Sequence, residues 1–204
     1  MFTLSLIYRV YFLSVKKLAR LTNHSQITGA KLVKIGIISD THMPASTPVL
    51  WPEVNVAFEG VDLILHAGDL EMVGVLDMLE EIAPVLAAEG NHDQGLSEFD
   101  SRIKKKQFLD IEGYRLGMTH IIDSWDLGAK RVVQSYLGEL PDIVVCGDSH
   151  FEFVRWEDDM LLINAGSATY PHNLESRLGH VVILEVESGK KPSAEIIDLS
   201  TIKA

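Results

Sequence analysis

The stretch Lys34–His42, reading KIGIISDTH, contains the pattern on which the rest of the chain is built. Lys34–Ser39 is a short apolar run rich in isoleucine, suited to a buried strand. It breaks at once into Asp40, Thr41 and His42. The pattern then recurs along the chain. Asp62–His66 runs into His66–Ala67–Gly68–Asp69, and Ala83–Ala88 runs into Glu89–Gly90–Asn91–His92–Asp93. Tyr114–Thr119 leads to His120, and Asp142–Cys146 leads to Gly147–Asp148–Ser149–His150. Five predicted strands therefore end in ligand-type residues, at the carboxyl ends where α/β sheets hold their sites. Each residue alone has a structural use: Asp40 or Asp69 as a helix cap, Asn91 in a turn, His120 as a satisfied core histidine. Five coincidences in one structural position are hard to credit.

Between these strands the period changes. In Glu71–Ile82, residues Met72, Val75, Leu76 and Leu79 fall on one helical face. Leu127–Gly138 is a second amphipathic helix, with Ala129, Val132, Val133, Tyr136 and Leu137 as its stripe. Three hairpins are predicted: Phe108–Glu112 with Tyr114–Thr119, Phe151–Trp156 with Met160–Asn164, and Gly179–Glu187 with Ser193–Leu199. The 204 residues suffice for one α/β domain with mixed sheets, beginning near Lys34.

Residues 1–33 read as an N-terminal extension outside that domain. Their apolar stretch is too short and interrupted for a membrane span, and the basic residues mostly follow it, unlike a signal peptide. The extension reads as disordered or as a spurious start upstream of the true one, with a transit peptide or an amphipathic surface helix as the alternatives. The extension carries five basic side chains and no acidic one, which leaves 13 basic against 29 acidic, or -16, for the rest. Such a body repels a bare nucleic-acid backbone, so no duplex partner is expected. Cys146 is the only cysteine, which excludes an intrachain disulfide and is compatible with a reducing, cytoplasmic setting.

Carboxylate, imidazole and amide oxygen together suit borderline-to-hard divalent ions. Manganese is the first choice, with nickel, iron, zinc or magnesium as alternatives. Without a cysteine cluster, a structural zinc site is not indicated. Two ions about 3.5–4 Å apart need a bridging carboxylate and supply a hydroxide nucleophile at neutral pH.

The ordered set Asp-x-His, Gly-Asp, Gly-Asn-His-Asp, His and Gly-x-Ser-His resembles the calcineurin-like metallophosphoesterases. The phrases KIGIISDTH, DLILHAGDL and AEGNHD are similar to their small bacterial and archaeal phosphodiesterase branch. The resemblance implies a four-layer α/β/β/α sandwich with two mixed β-sheets. It implies that Asp40, His42 and His150 hold a first metal, that Asp69 bridges, and that Asn91, His120 and Asp148 hold a second. His92 would lie beside the leaving group, oriented by Asp93. The implied reaction is phosphodiester hydrolysis on a small phosphorylated substrate. A phosphomonoesterase or nucleotidase is the alternative enzyme, and a metal-binding scaffold resembling the retromer subunit the non-catalytic one. No membrane partner is expected, and association into a homo-oligomer is left open.

The chain departs from the family pattern at Asp148, where histidine is usual, at Ile121, where glycine is frequent, and at Ala165, where proline is usual. Among the other histidines, His24 lies in the extension. His66 is either a support to the metal ligands or simple packing. His172 reads as a surface turn, with the substrate mouth as the alternative, and His180 as structural.

Overall fold

The computed structural model describes residues 31–204, so the extension predicted for residues 1–33 lies outside the described residues except at its last three positions. The first strand, β1 (Val33–Ile38), begins one residue before the expected boundary. It sits centrally in a six-stranded sheet ordered β11-β10-β1-β2-β3-β4. The other members are β2 (Leu63–His66), β3 (Val85–Ala88), β4 (Ile103–Lys104), β10 (His180–Glu187) and β11 (Lys190–Asp198). A second sheet of five strands is ordered β5-β6-β7-β9-β8. It comprises β5 (Lys106–Ile111), β6 (Tyr114–Thr119), β7 (Ile143–Cys146), β8 (Glu152–Glu157) and β9 (Met160–Ala165).

Both sheets are mixed. β1, β2, β3 and β4 run parallel in the first, as do β6, β7 and β9 in the second, with antiparallel strands at the remaining pairings. The three expected hairpins form as β5–β6, β8–β9 and β10–β11. Alternate side chains of a strand face opposite ways, and the buried clusters follow that alternation. Ile35, Ile37, Leu63 and Leu65 meet Met118, Ile143, Val145, Leu161 and Ile163 between the sheets. On the outer side of the first sheet, Ile38 and Ile64 face the helices α1 (Pro52–Ala57) and α2 (Gly74–Glu80), through Val54, Val75, Leu76 and Leu79. Outside the second sheet, Val144, Cys146 and Leu162 pack on α4 (Ala129–Leu137) through Ala129, Val132 and Val133. The result is the four-layer α/β/β/α sandwich.

The short helices α1 and α3 (Leu96–Phe99) and the two-residue β4 were not in the sequence reading. Each is too brief to carry a readable period. α2 starts at Gly74, later than the expected Glu71, because the chain before it is turned into the site. Among the described residues, no helix is long and apolar enough to cross a membrane.

Candidate metal centre

The parallel strands β1, β2 and β3 of one sheet and β6 and β7 of the other release their carboxyl ends into a common cleft. There the backbone takes an unusual path. Asp40, His42, Asp69, Glu71, Asp148 and His150 all have positive φ, between 44° and 68°. Non-glycine residues rarely adopt this region, and such strain concentrates at functional sites. The six fall as three pairs, two residues apart, each pair following one strand. This left-handed pairing turns both side chains of each pair toward the cleft.

Glycines stand before Asp69, Asn91 and Asp148 for a steric reason, and a Cβ on Gly68 would strike the His120 ring. A Cβ on Gly90 would strike the carboxylate and backbone nitrogen of Asp69, and one on Gly147 would strike the Ser39 hydroxyl and come within 2.8 Å of Asp40 Oδ2. The Gly-Asn and Gly-Asp steps are therefore close-approach points between loops.

Two groups of donor atoms result. In one, His42 Nε2 lies 3.2 Å from His150 Nε2 and 3.6 Å from Asp69 Oδ2, while His150 Nε2 lies 3.5 Å from Asp40 Oδ1. In the other, His120 Nε2 lies 3.0 Å from Asn91 Oδ1, 3.4 Å from Asp69 Oδ1, 3.7 Å from Asp148 Oδ1 and 4.0 Å from Asp40 Oδ1. Asp69 offers one oxygen to each group, the disposition a bridging carboxylate needs.

The hydrogen bonds behind the rings assign their tautomers. His42 Nδ1–H donates to Glu71 Oε1 at 2.9 Å, His150 Nδ1–H to the Tyr170 carbonyl at 2.7 Å, and His120 Nδ1–H to the Ala67 carbonyl at 2.7 Å. Each neutral ring then presents an Nε2 lone pair to the cleft. Two of those lone pairs face one another, and the third faces only oxygen acceptors. The arrangement is repulsive unless a positive charge sits within each group, so the donor set fits divalent cations.

The electrostatics agree. Burial pushes the Asp40 carboxyl up to about 7, against the pull of His120, the Ser39 hydroxyl and the Asp148 N–H. Burial pulls His120 down, but the hydrogen bond and charge of Asp69, with Asp40, outweigh it and carry the ring up to about 9. Burial also acts to raise Asp69, yet His120, with the His92 N–H, brings it to about 2. Without metal, a proton on His120 serves as the counter-charge. Bound cations would replace it, keeping Asp40 ionised and His120 neutral.

The surrounding residues hold the loops. Fully buried His66 accepts from Gly68 N–H at Nδ1 and donates from Nε2 to the Thr41 hydroxyl at 3.1 Å, tying the first loop to the second. Burial lowers it to about 3, so it stays neutral and acts as a support. Ser167 Oγ donates to the Asp40 carbonyl at 2.6 Å and Asn164 Nδ2 to the Gly147 carbonyl at 2.8 Å, so the turn containing Ala165 still backs the site.

Asp93 does a different job from the one expected. Its buried carboxylate accepts from the backbone N–H groups of Leu70, Glu71 and Gly90 at 2.8–2.9 Å, so both oxygens brace loops and neither orients the His92 ring. The carboxylate beside that ring is Glu71, whose Oε1 lies 4.0 Å from His92 Nδ1. Sequence reasoning missed Glu71, Tyr170 and Ala67. Glu71 alone carried a signal, as an acid two residues past Asp69 in need of a role. His92 stands at the rim, its side chain 54% exposed and its ring 5.0 Å from that of His42. An open pocket of about 360 Å³ lies above the donors, walled in part by His92, Tyr170 and Leu174.

These features are those of a metallophosphoesterase, and the chain belongs to the calcineurin-like phosphoesterase superfamily: residues 33–189 match the model of that superfamily's domain. A probable metallophosphoesterase from Methanothermobacter thermautotrophicus is 36% identical over 165 residues, covering 80% of this chain and 91% of the relative. A phosphodiesterase from Methanocaldococcus jannaschii is 28% identical over 151 residues, covering 66% of this chain and 83% of the relative. Among solved structures, Vacuolar Protein Sorting 29 from Cryptosporidium parvum superposes with a TM-score of 0.63 at 17% identity, covering 81% of this chain and 97% of that one. A novel archaeal phosphodiesterase superposes with a TM-score of 0.60 at 23% identity, covering 81% and 100%. At those identities the two structures speak to the fold alone.

Proposed function

We propose that the chain hydrolyses the phosphodiester bond of a small phosphorylated molecule at a centre of two divalent ions, manganese foremost. The observation that carries this reading is the convergence of three imidazole lone pairs and three carboxylates beneath one open pocket. On this reading Asp40, His42 and His150 hold one ion, Asn91, His120 and Asp148 the other, and Asp69 both. Bound ions would neutralise charge on the phosphate and lower the pKa of bound water.

The chain's own residues supply the rest. Glu71 and the carbonyls of Ala67 and Tyr170 keep the three rings in the ligating tautomer. His92, exposed at the rim, is free to turn toward an ester oxygen and give it a proton as that oxygen leaves. The pocket volume lies at the small end for ligand sites, which favours a small phosphorylated substrate over a duplex. The buried thiol of Cys146 accords with a reducing, cytoplasmic location.

A non-catalytic scaffold draws its support from the fold likeness to Vacuolar Protein Sorting 29. Against it stands His92, which a scaffold has no need to keep beside a metal-donor cluster. The test is hydrolysis of a chromogenic phosphodiester by metal-stripped protein, with manganese, nickel, zinc, magnesium or no metal restored, beside a matched monoester. Expected is metal-dependent diester turnover that disappears in Asp69→Ala. In His92→Ala, turnover should fall about 10²–10⁴-fold with metal content near normal. Folded protein without turnover under any metal overturns the enzyme reading, and monoester preference overturns the diester one.

A further inference from the structure

A second cluster of ligand-type side chains lies outside the main centre, at Glu152, His172 and His180. One donor atom from each lies within 4.8 Å of the others. His172 Nε2 is 3.0 Å from Glu152 Oε2, and His180 Nδ1 is 3.4 Å from the same oxygen. Donors about 2.0–2.2 Å from a tetrahedral ion stand about 3.3–3.6 Å apart, so these spacings need little adjustment.

The cluster is incompletely satisfied by itself. His180 Nδ1 is buried and has no hydrogen-bond partner among the described residues, its 3.4 Å approach to Glu152 lacking hydrogen-bond geometry. Two imidazole nitrogens thus converge on one carboxylate oxygen and only one of them is hydrogen-bonded to it. Space is kept for that oxygen by Gly166, where a Cβ would come within 3.3 Å of Glu152 Oε2. Phe151 stacks on the His172 ring at 4.7 Å and 13°, fixing its plane.

The three residues come from three parts of the fold. Glu152 opens β8 in the second sheet, His180 opens β10 in the first, and His172 lies in the short turn Pro171–Asn173 between them. That turn follows Tyr170, whose carbonyl holds the His150 ring, and the His172 N–H donates to the His150 carbonyl at 3.0 Å. A clasp here would fix one wall of the main pocket.

We propose that Glu152, His172 and His180 form a further divalent-metal site with two histidines and one carboxylate, that it takes zinc or cobalt, and that the bound ion clasps the two sheets behind Tyr170. Two imidazoles and a carboxylate with a fourth position left to water suit these ions.

The experiment uses the full chain, stripped of metal, then loaded with zinc and counted by mass spectrometry, or titrated with cobalt and followed by visible absorption. Glu152→Gln and His172→Ala should each carry one ion fewer than the wild type and lack the absorption of a four-coordinate cobalt site, with unchanged circular dichroism. His172, 34% exposed, can be truncated without opening a core cavity. Asp69→Ala should keep that absorption. The comparison is a difference, so it stands or falls separately from the number of ions at the main centre. Equal ion counts and equal spectra in the wild type and both variants overturn the proposal.

Discussion

Glu71 offers the sharpest test of how the main centre is tuned. Its Oε1 accepts the His42 Nδ1 proton at 2.9 Å, and its side chain is 25% exposed, so the bond is partly shielded from water. Partners of this kind fix tautomer and ring orientation, and losing one costs about 10–100-fold in metal affinity, or about 1.4–2.7 kcal/mol. Glu71→Gln retains an acceptor oxygen without the charge, and the lower end of that range is expected. Glu71→Ala should reach the upper end. Because Glu71 has φ 68°, alanine there is also strained, so Glu71→Gly is the control that removes the carboxylate and relieves the backbone. The assay is metal affinity by competition with a chromophoric chelator, with turnover measured separately at saturating metal because His92 lies 4.0 Å from the same oxygen. Affinity within about threefold of wild type in all three variants would refute the assignment.

Three further outcomes follow from the same geometry. Gly90→Ala drives a Cβ into the Asp69 carboxylate, so metal content should fall in a protein that His92→Ala leaves fully loaded, as elemental analysis will tell. Asp100 accepts from Arg102 Nε at 3.0 Å and from Nη2 at 2.6 Å, and those hydrogen bonds hold its pKa below the usual carboxylate value. The stabilisation is therefore present above the unfolded pKa and lost as pH falls through the folded one. Asp100→Asn should cost about 1–2 kcal/mol in urea unfolding at pH 7, with the gap closing below about pH 4. Asp148→His removes one negative charge from the pocket wall, and the ratio of monoester to diester turnover should rise.

The candidate donor cluster was legible where side chains of ligand type break an apolar run. Asp40, Asp69, Asn91, His120 and His150 announce themselves because nothing in a strand's core demands a polar residue at its end. Their supports were illegible for two reasons. Ala67 and Tyr170 act through carbonyls, which every residue has. Glu71 sat at the start of what reads as a helical period, but its left-handed backbone delays α2 until Gly74 and aims its carboxylate at His42. Asp93 misled because adjacency to His92 suggested a partnership, whereas the loop turns it back onto three backbone donors. Glu152, His172 and His180 could not be grouped from sequence, since only the closing of two sheets brings them together.

Asp148 bears directly on which ester this chain can prefer. Its side chain, 42% exposed, lies at the pocket wall and 3.7 Å from His120 Nε2, so it is both a candidate ligand and a charge that the substrate meets. Where the family usually has a neutral imidazole, this chain adds a carboxylate to those of Asp40 and Asp69. Coulomb repulsion scales with the product of charges, so the added carboxylate opposes a dianionic monoester about twice as strongly as a monoanionic diester at the same distance. Partial exposure weakens the term for both substrates without changing its sign. The same charge also favours ions that bind oxygen well and lowers their Lewis acidity. A diester preference and an ion that binds oxygen well thus follow from the one substitution, on the reading proposed here.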